Sequence, residues 1–224
     1  HRYNSVKRFV RRLKVRDPER FDVLESAPGE EAQVDLGLGA PTRRKKGYRR
    51  PYLFVMTLKY SGKSFRKVVW KADQQTWARL HEEAFRHFGG AVSYCVLDNL
   101  KAGVIHPNLY DPELNPLYAA LLAHYGVVAD PCRVADPNRK GAVENAIQHT
   151  QGTALKGRRY DSLEEQNAWL ARWDERWAAP RIHGRKKRQV LRRHQKASRK
   201  GQYVLPDADR LFNPSRETAK LLAK

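Results

Sequence analysis

Cysteine is scarce in this chain: two in 224 residues, Cys95 and Cys132. That excludes a disulfide scaffold and any four-cysteine zinc site. No apolar run approaches the roughly 20 residues a membrane-spanning helix needs. No signal peptide is visible, and the first residue is His1 rather than Met, so the expected protein is a soluble, intracellular piece of something longer. The eight histidines show no HExxH or paired ligand spacing, which argues against zinc. A Gly-Lys-Ser/Thr phosphate loop is also missing, so any ATPase activity has to come from a partner.

Acid is missing from three stretches. Residues 1–16, 42–50 and 181–201 contain no Asp or Glu, and together they hold 23 of the 44 Lys and Arg. The rest of the chain is close to neutral. The formal net charge is +20. A near-neutral globule bearing three basic segments is the electrostatic footprint of a nucleic-acid binder. At 41% hydrophobic and 10% aromatic residues the chain can still bury a core.

The hydrophobic period organises the chain. Val6, Phe9, Val10 and Leu13 predict a short amphipathic basic helix over 3–14, followed by a linker over 17–30. Strands are expected at 30–37, 51–60 and 64–72, with a basic hairpin loop at 38–50. Asp73 then caps a helix carrying Trp77, Leu80, Ala84, Phe85 and Phe88, stopped by Gly89-Gly90. A fourth strand is expected at 91–98, a loop at 99–111, a helix from Pro112 to His124, and a fifth strand at 127–133. Helices follow over about 140–155 and after Asp161 or Ser162, the second with Leu163, Trp169, Leu170, Trp173 and Trp177 on apolar positions. This βββ-α-β-α-β-α order predicts a mixed five-stranded sheet flanked by helices, the order of the ribonuclease H-like fold. The expected division is a basic helix and linker (1–25), a catalytic core (26–180) and a basic extension with a tail (181–224).

Three carboxylates fall where acids are unusual. Asp35 lies inside the first strand. Asp98 ends the apolar strand Tyr94-Cys95-Val96-Leu97. Glu144 sits among Ala142, Val143, Ala146 and Ile147. In this strand order the first and fourth strands are neighbours, so Asp35 and Asp98 face each other and Glu144 reaches them from a helix packed on that side. Three hard oxygen donors suit magnesium or manganese. Two such ions would serve a phosphodiester displacement. In the competing reading, Asp35 and Asp98 cap a strand end and a loop, and Glu144 is solvated.

The segments Gly29-Glu30-Glu31-Ala32-Gln33-Val34-Asp35, Phe88-Gly89-Gly90 with Leu97-Asp98-Asn99-Leu100-Lys101, and Arg139-Lys140-Gly141-Ala142-Val143-Glu144 resemble those of IstA-type transposases, DDE recombinases with a retroviral integrase-like core. Arg181-Ile182-His183-Gly184 with Lys187-Arg188-Gln189-Val190 is similar to the segment after the last catalytic helix. The likeness spans about residues 26–195. It implies Asp35, Asp98 and Glu144 as a metal-binding catalytic triad using Mg2+, with Mn2+ as substitute. It implies cleavage at transposon DNA ends and transfer of the freed 3′-hydroxyl into target DNA. It also implies a dimer or tetramer on DNA, an IstB-type AAA+ ATPase helper, and a bacterial, cytoplasmic, nucleoid-associated setting. The family commonly has Trp after the first Asp; here it is Leu36.

The expected DNA contacts are Arg43, Arg44, Lys45 and Lys46 in the hairpin, Asn99 and Lys101 beside Asp98, Arg139 and Lys140 ahead of Glu144, and Arg181, His183, Lys186, Lys187 and Arg188 in the last basic block. The tryptophans are expected to be mostly packing, and Cys95 to be core. Two alternatives use the same fold: a nuclease that hydrolyses without joining, and a non-catalytic DNA-binding module.

Overall fold

The computed structural model describes residues 3, 5–7, 9, 26–97, 104–106, 113–131, 141–183 and 188–199. The β-prone runs become strands β1 (Glu31–Leu38), β4 (Tyr52–Leu58) and β5 (Ser64–Val69). The expected loop between the first two is itself a small hairpin, β2 (Thr42–Arg44) and β3 (Gly47–Arg49). Helix α1 (Gln74–Phe88) begins where expected, since the Asp73 carboxylate accepts from the Thr76 amide at 2.9 Å. It ends at Gly89, whose φ of 76° only glycine adopts freely. Strand β6 (Tyr94–Leu97) follows, then a short pair, β7 (Val104–His106) and β8 (Glu113–Leu114). Helix α2 (Pro116–Tyr125) starts four residues later than expected. Two prolines compete for the first helical position, and Asn115 decides for Pro116 because its side chain accepts from the Leu117 amide.

Strand β9 (Val128–Pro131) precedes α3 (Gly141–His149), which continues as a π turn over Thr150–Ala154. Helix α4 (Leu163–Trp173) is capped by Ser162 rather than Asp161, and it too ends in a π turn, Asp174–Ala178. The pair β10 (Ile182–His183) and β11 (Arg188–Gln189) leads into α5 (Val190–Arg199). Trp177, expected on an apolar position, is 68% exposed. The π turn carrying it is wider than an α turn, so the helical period no longer holds there.

The main sheet has the order β5-β4-β1-β6-β9. β1 runs antiparallel to β4 and parallel to β6, and β6 parallel to β9. Because strand side chains alternate, the sheet builds two cores. One face presents Ala32, Val34, Phe54, Met56 and Cys95 to α1 and α2. The other presents Leu53, Val55 and Val68 to Val143 and Ile147 of α3 and to Leu170 and Trp173 of α4. Full burial of side chains such as Trp77, Phe54 and Phe85 stabilises the fold by about 1.5–3 kcal/mol each.

Two polar clusters lie inside. In the first core the His81 Nδ1–H donates to the Trp77 carbonyl (2.9 Å), so Nε2 accepts from the Tyr118 hydroxyl (3.1 Å). In the second, Arg66 on β5 donates through Nε to Thr150 Oγ1 (2.8 Å) and through a terminal nitrogen to Asp174 (2.6 Å). One guanidinium thereby ties the two π turns to the sheet edge. Helix α5 folds back onto the core, with Val190 and His194 buried and the Leu191 amide bonded to the Ala179 carbonyl.

Candidate active site

Asp35 lies in β1 opposite Val55, on the sheet face that α3 covers. It is half-buried, and its carboxylate accepts from the Leu36 amide at 2.7 Å. Glu144 is in the first turn of α3. Sequence placed it in apolar surroundings, but it is exposed. Val143, Ala146 and Ile147 take the sheet-facing positions, and 3.6 residues per turn carries Glu144 to the edge of that face. Its setting therefore costs nothing in desolvation.

Three contacts align α3 with β1. At one end the Gln33 side-chain oxygen accepts from the backbone N–H groups of Ala142 (3.2 Å) and Val143 (3.3 Å). At the other, the Gln151 amide donates to the Leu38 carbonyl at 2.9 Å. Between them, a Cβ built on Gly37 would stand 2.7 Å from Ile147 Cγ2, so only glycine lets the helix lie this close. The helix thus runs in the direction of the strand, held at Gln33 and at Gly37–Leu38. Asp35 is the residue midway between those points. Glu144 lies one turn before Ile147, which meets β1 at Gly37. The strand carrying Asp35 and the helix carrying Glu144 are thus packed together along this contact.

The β1–β6 register pairs Gln33 with Val96 and Val34 with Leu97. The residues bonded to Val34 and Leu97 are Asp35 and Asp98. Asp98 itself lies outside the described residues, as do Asn99, Lys101, Arg139, Lys140, Lys186 and Lys187. Among the described residues no group of three His, Cys, Asp or Glu side chains is placed to hold a metal ion. The two carboxylates present are hard oxygen donors, the chemistry that fits Mg2+ or Mn2+.

Arg43, Arg44, Lys45 and Lys46 are exposed on the β2–β3 hairpin. Arg181 borders a cleft of about 490 Å3 that is also lined by Asn145 and His149 of α3 and by Lys59. His183 and Arg188 pair through their backbones in β10 and β11. Gln33 was missed from sequence. Its signal was an amide side chain on the inward face of a strand, two residues before Asp35, where an apolar side chain is the norm.

No family model matches the chain. Among curated proteins it is similar to a transposase from Mycobacterium tuberculosis (37% identical over 150 residues, 65% of this chain and 36% of that protein). It is also similar to a transposase of insertion sequence element IS5376 from Geobacillus stearothermophilus (30%, covering 66% and 37%), and to one of an IS21-like element from Bacteroides fragilis (26%, covering 81% and 36%). The chain spans about a third of the length of these relatives. In structure it is similar to the simian T-cell lymphotropic virus intasome (TM-score 0.56, 13% identical, 87% of this chain and 63% of that one). The bovine immunodeficiency virus integrase catalytic core is another neighbour (TM-score 0.52, 13%, covering 77% and 98%). At that identity the likeness shows the fold: a ribonuclease H-like integrase core, with transposases as the named sequence relatives.

Proposed function

We propose that the chain contains the catalytic core of an IstA-type DDE transposase, with Asp35, Asp98 and Glu144 as its metal-binding triad. The observation that supports this reading is the alignment of α3 on β1, which packs the helix carrying Glu144 against the strand carrying Asp35, while β6 ends at Leu97 opposite Val34, one residue before each Asp. The three carboxylates would hold the divalent ions. When bound, such ions activate the attacking oxygen and stabilise the leaving oxygen of a phosphodiester displacement. The chain's own part is positional. Asp35 is fixed by its strand register and by the Leu36 amide, and Glu144 by the capped start of α3. DNA is the substrate, at the transposon end and in the target. The basic hairpin and the block around Arg181, His183 and Arg188 hold its backbone, with Asn99, Lys101, Arg139 and Lys140 nearer the reacting phosphate. The active form is a multimer on paired ends, served by an IstB-type AAA+ ATPase.

The test is Mn2+ calorimetry on the chain bound to a pre-nicked duplex end, paired with a joining assay on the same DNA. Asp35→Asn, Asp98→Asn and Glu144→Gln should each remove ion binding and abolish joining while duplex affinity stays unchanged. Joining that survives in any of the three overturns the triad. Hydrolysis without joined product in wild type assigns the nuclease reading, and no dependence on divalent ions assigns the binding module.

A further inference from the structure

The loop between α3 and α4 carries Lys156, Arg158 and Arg159, all exposed. It is not a free surface loop. The Arg43 amide donates to the Tyr160 carbonyl (2.9 Å) and the Tyr160 amide to the Pro41 carbonyl (3.1 Å), so backbone bonds join it to the β2–β3 hairpin. The hairpin segment 42–50 adds six cations to these three and contains no acid; the loop's own acid is Asp161. Several guanidinium groups are held on aromatic rings. Arg43 and Arg159 flank the Tyr48 ring at 5.7 and 5.6 Å, Arg158 stacks on Trp169 at 3.7 Å, and Arg44 lies over Trp70 at 5.1 Å. A stacked guanidinium keeps its N–H edge outward and has little rotamer freedom left to lose on binding. The flanking acids are engaged: Asp161 pairs with Arg43 at 3.0 Å, and the Glu165 carboxylate accepts from the Asp161 amide at 2.8 Å.

Like charges fixed this close repel one another unless a polyanion faces them. We infer that the hairpin and the α3–α4 loop form one preorganised platform for the phosphate backbone of duplex DNA, with Lys156, Arg158 and Arg159 as direct contacts. This rests on the transposase reading and adds a second, sequence-independent grip to it. Twelve residues separate Glu144 from Lys156, about 18 Å at 1.5 Å per helical residue. Seven residues separate Asp35 from Thr42, at most about 23 Å of strand. DNA held at the carboxylates therefore meets the platform about five to seven base pairs away, at 3.4 Å per pair.

The test compares wild-type chain with the triple variant Lys156→Gln, Arg158→Gln, Arg159→Gln, using a 30-base-pair duplex and fluorescence anisotropy across a salt series. Each lost phosphate contact lowers the slope of log K against log salt by about 0.9, so the slope should fall by about 2–3 and affinity by about tenfold or more at 0.1 M salt. A control variant, Arg79→Gln, Arg86→Gln, Arg176→Gln, removes the same charge elsewhere and should change the slope by less than about 1. Tyr48→Leu keeps every charge but frees Arg43 and Arg159. It should weaken binding about threefold at an unchanged slope. Equal slopes for wild type and the platform variant, or equal losses in platform and control variants, overturn the platform and leave the triad reading standing. Wild-type protein that binds no duplex overturns both.

Discussion

Gln33 is the residue on which the proposed site turns. Both ends of its amide are used. The oxygen accepts from Ala142 and Val143, and the nitrogen donates to Glu31 at 2.9 Å. Glu31 in turn is paired with Lys59 at 2.6 Å. That chain of partners sets which end of the Gln33 amide meets the helix, and it fastens the first turn of α3 to β1. Gln33→Leu keeps the bulk but leaves two helix N-terminal amides without their acceptor. The expected loss is about 1–2 kcal/mol of stability in urea denaturation. If Gln33 positions Glu144, the same variant also weakens Mn2+ binding to the DNA-bound protein, a change that lost stability alone would not produce.

The π turns at the ends of α3 and α4 depend on Arg66. Its side chain is 4% exposed and that of Asp174 is 14% exposed. Burial holds the Asp174 carboxyl above the usual carboxylate range, with the Arg66 charge offsetting only part of the effect. Desolvation likewise lowers the Arg66 pKa. A pair of this kind adds little net stability, yet removing one partner strands the other charge. Arg66→Met should cost about 3–5 kcal/mol, while Arg66→Met with Asp174→Leu should cost clearly less. Urea midpoints of the two variants check this. Equal losses would mean that the Thr150 bond of Arg66 and its stacking over the Trp173 ring at 5.2 Å, not its charge, hold the turns.

For the whole molecule the buried histidines set the response to acid. Burial lowers the His81 pKa to about 4, and His194, 5% exposed, is lowered to about 4 by burial and by the nearby Lys63 charge. The unfolded chain takes up these protons near pH 6.5, whereas the folded chain resists them until about pH 4. Stability is therefore complete above pH 6.5 and falls as pH drops toward 4. The fully buried His81 contributes roughly 3 kcal/mol to that fall. Urea midpoints at pH 7.5 and 4.5 measure it, and His81→Leu should flatten the dependence. An unchanged slope in that variant would assign the acid sensitivity elsewhere.

The five strands of the main sheet, the order of the helices between them and most core positions were legible in the chain, because period 2 and period 3.6 mark which side chains must leave water. Trp77, Phe85 and Cys95 are buried as their spacing requires. Asp35 and Asp98 stood out because an acid inside a strand, or at the end of an apolar one, is costly without a partner, and Glu144 because its neighbours in the chain are apolar. Local pattern could not choose between Pro112 and Pro116, since both suit a helix start and the Asn115 side chain decided. Nor could it show Glu144 exposed, because the helix edge it occupies depends on where α3 meets β1. That meeting is tertiary. It needs the missing Cβ of Gly37, the amide of Gln33 and the reach of Gln151, three residues up to 118 positions apart in the chain. The tie between the β2–β3 hairpin and the Tyr160 loop, also more than a hundred residues apart, arises the same way. Sequence determines which groups seek burial or charge; only folding brings distant ones within bonding distance.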